Sequence, residues 1–446
     1  MAPDTQTLTT LSPAEVHPSL GRHILVDGFR IVVDLERSHG TYLYDALGER
    51  EILDLFTSFS TCALGYNHPG MANREFEKRV LPAAINKPAN SDLYTTAMAE
   101  FVTTFASTLP AALRGNLFFI SGGALAVENA LKTAFDWKRR KNLEAGRAAR
   151  GDKIIHFRHA FHGRSGYTLS LTNTDPAKTD YFPKFDWPRV STPQLRFPVT
   201  EAESERVAEA ERRTLDEIER ALKADPHSVA GLIIEPIQGE GGDNHFRGEF
   251  LTELRRLADE REFLLIFDEV QTGFATTGRW WCCEHFDVVP DVLAFGKKTQ
   301  ICGIAAGERV NEVDSVFRIS SRINSTWGGN LVDMIRCHRI VEIVEQENLL
   351  ESARRVGEGF LSGLQALEGE FPGRVTNSRG RGMFLAFDLP DTGLRNRVLK
   401  ELLALDVLGL SSGERSIRFR PPVSLTVEEA RLGLERLGAA LGRALS

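Results

Sequence analysis

The chain has 446 residues, more than one hydrophobic core organises, so at least two domains are expected. Its composition is globular, 42% hydrophobic and 26% charged, and a net charge of -7 excludes the basic footprint of a nucleic-acid binder. No run of about 18 apolar residues occurs, so no membrane span is expected. The cysteines (Cys62, Cys282, Cys283, Cys302, Cys337) form no CxxC pair, which argues against structural zinc or a disulfide framework and for a reduced, cytoplasmic setting.

The opening segment, MAPDTQTLTTLSPAEVHPSL, is polar and proline-punctuated and lacks the regions of a signal peptide; it reads as a loose arm. From Ile31 to Leu55 the pattern is a small strand meander, leading into the loop LGYNHPG. A helix is expected between Thr95 and Leu109. In NLFFISGGALAVENALK, Leu117 to Ile120 reads as a buried strand, Ser121-Gly122-Gly123 as a tight turn, and Ala124 onward as a helix. Strand, glycine turn and helix start together can cradle an anion, because unpaired backbone N–H groups point outward there. An ordinary strand-to-helix connection explains the same residues, and no Walker-type Gly-Lys-Ser/Thr follows.

Lys153 to Phe157 is a second short strand, running into the polar loop AFHGRSG. Residues 201 to 224 form a charged helix with a thin apolar stripe. GLIIEPIQGEGG is a third strand, ending near Glu235, with a glycine-rich loop that carries Glu240. After a further helix, Phe263 to Phe267 stops at Asp268-Glu269, and Val292 to Phe295 delivers Gly296-Lys297-Lys298. Short apolar strands alternating with helices indicate an α/β domain with a largely parallel sheet. Ligands in such sheets bind beyond the carboxyl ends of the strands. Ser121, the Phe161–Arg164 loop, Glu235, Asp268 and Lys297 all follow strand ends.

After Trp327 the character changes. Two helical patterns over 331 to 368 precede strand candidates at Arg374 to Val375, Met383 to Phe387 and Ser416 to Arg420. A final helix starts at a capping box, Thr426 with Glu429. The expected division is 1–70 (arm and part of a small domain), 71–330 (large domain) and 331–446 (remainder of a small α+β domain).

Taken in order, SGGALAVENALK, AFHGR, EPIQGEGG, IFDEVQTG, AFGKK, STWGGN and RFRPP resemble the class III (ω-) aminotransferases. These are pyridoxal-phosphate enzymes of the aspartate-aminotransferase-like fold, PLP fold type I. The segments AFHGRSGYTLSLTNT, FPKFDWPR, FGKKTQ and NSTWGGN are most similar to members acting on the terminal amine of L-lysine. The implied activity is transfer of that amine to 2-oxoglutarate. Sharing the scaffold are enzymes for ornithine, 4-aminobutyrate or diamines, and aminomutases and racemases; the last two need no 2-oxoglutarate site.

The resemblance also implies roles. Lys297 carries the cofactor and shuttles the proton, with Lys298 its competitor on sequence alone. Asp268 contacts the pyridine nitrogen, and Gln271 lies near the phenolic oxygen. Gly123 and Ala124 bind phosphate, with Thr326 reaching it from a neighbouring subunit, which implies a homodimer with composite sites; nearby Asn324 is placed among the substrate residues. Phe161 stacks on the ring. Glu235 is placed among the cofactor residues, and His162 is either adjacent to the cofactor or structural. For substrates, Arg164 takes the distal carboxylate of lysine and Arg420 a carboxylate of 2-oxoglutarate. Glu240 pairs with Arg420 while lysine is bound and swings away for the diacid. No metal is implied.

Overall fold

The computed structural model describes residues 11–446, and the first half of the expected arm lies outside them. Its second half contains a helix, Pro13–Leu20, with proline in the first turn, where no backbone N–H is needed, and Glu15 accepting the Ser12 N–H at 2.9 Å; none of its residues is buried.

The central sheet has seven strands, in the order Asn116–Ile120, Cys302–Ala306, Val292–Phe295, Leu264–Asp268, Val229–Ile234, Lys153–Phe157 and Arg189–Val190. Only Cys302–Ala306 runs antiparallel to its neighbours. Its inner strands are apolar throughout because both faces are covered. The helix Gly123–Glu144 buries Val127, Leu131 and Ala134 against Ile154, Ile233, Ile266 and Ala294 on one face. Helix Gly248–Glu260 contributes Leu251, Leu254 and Leu257 to the larger core on the other.

The meander forms as expected, as Val33–His39, Tyr42–Asp45 and Arg50–Asp54, and its last strand pairs in parallel with Val407–Leu408 near the other end of the chain. A separate antiparallel sheet contains Thr376–Arg381, Phe384–Asp388, Ser416–Phe419 and Leu410–Ser412. The strand expected at Arg374–Val375 begins two residues later. The N–H groups of Arg374 and Val375 still bond to Phe371 O, so the chain is finishing the turn after helix Leu349–Glu370. Among the described residues no helix is long and apolar enough to cross a membrane, and no cluster of metal-ligating side chains occurs.

Candidate active site

The carboxyl ends of the parallel strands surround a cavity of about 490 Å³. Lys297, two residues past the strand Val292–Phe295, lines it, and its amine lies 5.9 Å from the centroid of the Phe59 ring. Burial first, then the nearby Arg418 charge, pulls this amine down to about 8. Lys298 turns away: its Nζ donates to Ser60 Oγ at 3.0 Å, and it does not line the cavity. The two adjacent lysines are thereby separated, and only Lys297 faces the space where a ligand fits.

Asp268 ends the strand Leu264–Asp268 and is buried. Its Oδ2 lies 2.8 Å from His162 Nδ1, and its Oδ1 accepts the Val270 N–H at 3.1 Å. The His162 side chain is fully buried, and its Nε2 has no hydrogen-bond partner among the described residues. Its one side-chain hydrogen bond is therefore spent on orienting Asp268. Glu235 is also buried, and desolvation pushes its carboxyl up to about 7. It accepts the Phe161 N–H at 3.0 Å and the Gly239 N–H at 2.9 Å, so it ties two loops of the cavity wall together.

Helix Gly123–Glu144 points its start at this cavity. Its N-cap, Gly122, has φ 108° and offers no side-chain cap, so the positive end of a long helix carries no acceptor of its own. Gly163 packs against this start; a Cβ there, at φ 114°, would come within 2.6 Å of the Ala124 Cβ. Glycine is required by this close approach of loop to helix.

These groups fit pyridoxal 5'-phosphate. The uncapped helix start suits a phosphate, the oriented Asp268 carboxylate a protonated ring nitrogen, and the Lys297 amine an aldehyde. Phe161 also lines the cavity.

The expectations for Arg420 and Glu240 need correction. Arg420 does not line the cavity. It is 1% exposed, its Nη2 donates to Asp243 Oδ1 at 2.8 Å, and its guanidinium carbon lies 3.3 Å from the centroid of the Phe384 ring. Nor does Glu240 pair with it. Glu240 accepts Thr174 Oγ1 at 2.8 Å and forms an ion pair with Lys178.

Besides Arg164, the arginine that lines the cavity is Arg418, which the sequence reading missed. Its Nη1 donates to Gln271 Oε1 at 3.0 Å, its Nε is unpartnered among the described residues, and burial lowers it to about 10. Gln271 Oε1 also accepts Arg420 Nε at 3.1 Å, bridging the two arginines. The missed signal was register. Arg418 lies inside the strand Ser416–Phe419, whereas Arg420 lies past its end, where its N–H is drawn to Leu55 O at 2.6 Å.

Arg164 is an exposed residue of the cavity lining. Asn324 and Thr326 are exposed and lie outside the cavity of this chain. Phe59 and Val270 also line the cavity; neither stood out in the sequence.

A doubly covered, mostly parallel sheet with a buried lysine and carboxylate at its carboxyl rim defines a fold-type I pyridoxal-phosphate enzyme. The class-III aminotransferase family model matches residues 26–441, and the chain belongs to that family. It is an aminotransferase, and its cofactor is pyridoxal 5'-phosphate. The chain is 50% identical over 433 residues to the L-lysine-epsilon aminotransferase of Mycobacterium tuberculosis, covering 96% of each chain. It is 49% identical to the enzyme of the same name from Amycolatopsis lactamdurans, covering 96% of this chain and 95% of that one. It is also similar to the solved structure of lysine aminotransferase from M. tuberculosis in the internal aldimine form. That match has a TM-score of 0.95 and 49% identity, covering 97% of this chain and 100% of that one.

Proposed function

We propose that the chain transfers the ε-amino group of L-lysine to 2-oxoglutarate. The products are L-2-aminoadipate 6-semialdehyde, which can cyclise, and L-glutamate. The observation that carries this reading is a cavity with a buried amine at its floor and two arginines, Arg418 inside and Arg164 at an exposed position of the lining. That arrangement suits substrates whose reacting carbon is flanked by carboxylates at two different distances. The identities to enzymes named for lysine support the choice of donor.

When bound, the cofactor supplies an electrophilic carbon and a ring that accepts the electron pair left behind when a substrate C–H is broken. The residues do the rest. Lys297, with its lowered pKa, would hold the cofactor, and its neutral amine would take the proton from the amine-bearing carbon of the substrate. Asp268, oriented by His162, keeps the ring nitrogen protonated. Gln271 spends its oxygen on the arginines, which leaves its amide N–H groups for the phenolic oxygen. Gly123 and Ala124 offer backbone donors to the phosphate, and Phe161 packs on the ring.

Arg164 grips the α-carboxylate of lysine, so that the ε-amine enters first. Arg418, rather than Arg420, receives the carboxylate beside the reacting carbon of 2-oxoglutarate, a bidentate match for a guanidinium. Glu240 screens Arg418 while lysine is bound and rests on Lys178 and Thr174 when the diacid occupies the site.

The reading also takes residues 71–330 as the cofactor domain and 1–70 with 331–446 as the smaller one. Two copies associate so that Thr326 of one reaches the phosphate of the other and Asn324 borders its substrate. The exposed Leu93, Tyr94 and Trp327 support this, since Ser91 Oγ bonds to Thr326 O at 3.0 Å and holds the two segments together on one face.

Rapid mixing of the holoenzyme with L-lysine, ornithine and 4-aminobutyrate tests the donor. The yellow absorbance of the lysine-bound cofactor is expected to disappear fastest with L-lysine; a clear preference for ornithine or 4-aminobutyrate overturns the assignment.

A further inference from the structure

Thr57, Ser58, Phe59 and Ser60 pass consecutively through the left-handed region, at φ 45°, 50°, 59° and 76°. None is a glycine. Side chains with a Cβ disfavour this region at every residue, so the run persists only where its surroundings hold it.

The holding groups come from three directions. Asp54 Oδ1 accepts the N–H groups of Phe56 at 3.0 Å and Thr57 at 2.8 Å. Thr57 Oγ1 donates to the Arg420 carbonyl at 2.5 Å. From the loop that carries Lys297, Lys298 Nζ donates to Ser60 Oγ at 3.0 Å and lies 3.4 Å from the Ser60 carbonyl, and Gln300 Nε2 donates to the Thr61 carbonyl at 2.9 Å.

What the turn presents is Phe59. This residue is 52% exposed, it lines the catalytic cavity, and it also lines an adjoining recess of about 290 Å³ shared with Glu240 and Arg418. Phe56 braces it edge-on, with ring centroids 4.7 Å apart. Lys298 is 1% exposed and forms no salt bridge among the described residues. Among the described residues its only side-chain hydrogen bonds are those to Ser60. Desolvation lowers its amine to about 7, which lessens the charge buried beside the turn.

We propose that Lys298 is a positioning residue for the amino donor: it clamps the left-handed turn Thr57–Ser60 to the catalytic loop, and so fixes Phe59 as a wall of the substrate cavity beside Lys297. Lys298 touches neither substrate nor cofactor; it acts through Phe59. The inference rests on the family's reaction and not on the identity of the donor.

The test uses holoenzyme and whichever donor the wild type turns over best. For Lys298→Met, KM for the donor is expected to rise about tenfold while kcat changes less than about threefold, the pattern of lost substrate positioning. The yellow absorbance of the bound cofactor stays, because Lys297 is intact. Phe59→Ala should raise KM to a similar degree, and the double variant should exceed neither single by more than about twofold, since both act through one ring. An unchanged KM in Lys298→Met, or effects that multiply in the double variant, overturns the proposal. Should Lys298→Met fail to fold, Ser60→Ala removes the hydroxyl acceptor and carries the same comparison, with a smaller rise in KM expected and an unchanged KM again overturning it.

Discussion

Arg418 and Arg420 are two residues apart, yet the structure gives them different tasks, and a pair of substitutions separates these. Asp243 and Arg420 are each 1% exposed and bonded at 2.8 Å. Deleting one member of such a pair strands the other charge, which costs about 3–5 kcal/mol. Here the stranded guanidinium also faces the like charge of Arg379, which already contributes to lowering its pKa. Asp243→Asn keeps an oxygen that can accept, so the loss is placed at the lower end, about 3 kcal/mol.

Arg418 forms no ion pair among the described residues, so Arg418→Met should alter stability by only about 1 kcal/mol or less. It removes the cation at the cavity wall, however. Loss of a charge-assisted, bidentate contact worth about 3 kcal/mol predicts a rise in KM for 2-oxoglutarate of about a hundredfold. Urea unfolding followed by tryptophan fluorescence measures the first effect, and steady-state kinetics with 2-oxoglutarate varied measures the second. If Asp243→Asn leaves the urea midpoint in place, or Arg418→Met leaves KM for 2-oxoglutarate unchanged, the assignment of the two arginines is wrong.

Three other outcomes are expected. Because the Lys297 pKa is lowered to about 8, the neutral amine grows as pH rises through 8; the rate of cofactor attachment to the apoenzyme should climb about tenfold per pH unit below that point and level off above it. A profile still climbing toward the ordinary lysine range would contradict this. Lys178→Met frees Glu240 from its resting partner and lets it compete for Arg418, so KM for 2-oxoglutarate should rise about tenfold while the half-reaction with L-lysine is unaltered. Equal effects on both half-reactions in stopped-flow traces would count against a resting seat. His162→Phe removes the donor that orients Asp268, and cofactor affinity measured by equilibrium dialysis should fall at least about tenfold, as for loss of a hydrogen bond to a charged group.

Much of the fold was legible because its strands are short apolar runs ending in polar or glycine residues. Lys153–Phe157 and Val292–Phe295 were read at their observed bounds, and the Thr426 cap begins the last helix as expected. The cofactor side of the site was legible for the same reason. Residues that follow strand ends in a parallel sheet converge, and Asp268, Glu235, Phe161, His162 and Lys297 do.

The substrate side was not, because it depends on partners far apart in the chain. Nothing local to RFRPP reveals that Asp243 waits for Arg420, or that Lys178 holds Glu240. Likewise Phe59 sits in an ordinary-looking segment, and only the fold reveals the left-handed turn that presents it. Cys302–Ala306 escaped as a strand because its Gly and Ala residues carry little β signal; they suit a position where Gly303 passes so near the Phe118 carbonyl that a Cβ would lie 2.1 Å from it.

The central claim is that the ε-nitrogen of lysine is the one transferred. Holoenzyme supplied with 2-oxoglutarate and L-lysine carrying heavy nitrogen only at the ε position tests it directly by mass spectrometry of the products. The label is expected in glutamate, with the other product retaining its unlabelled α-amino group. Unlabelled glutamate, or a lysine-derived product that keeps the label and has lost its α-amino group, would contradict the account.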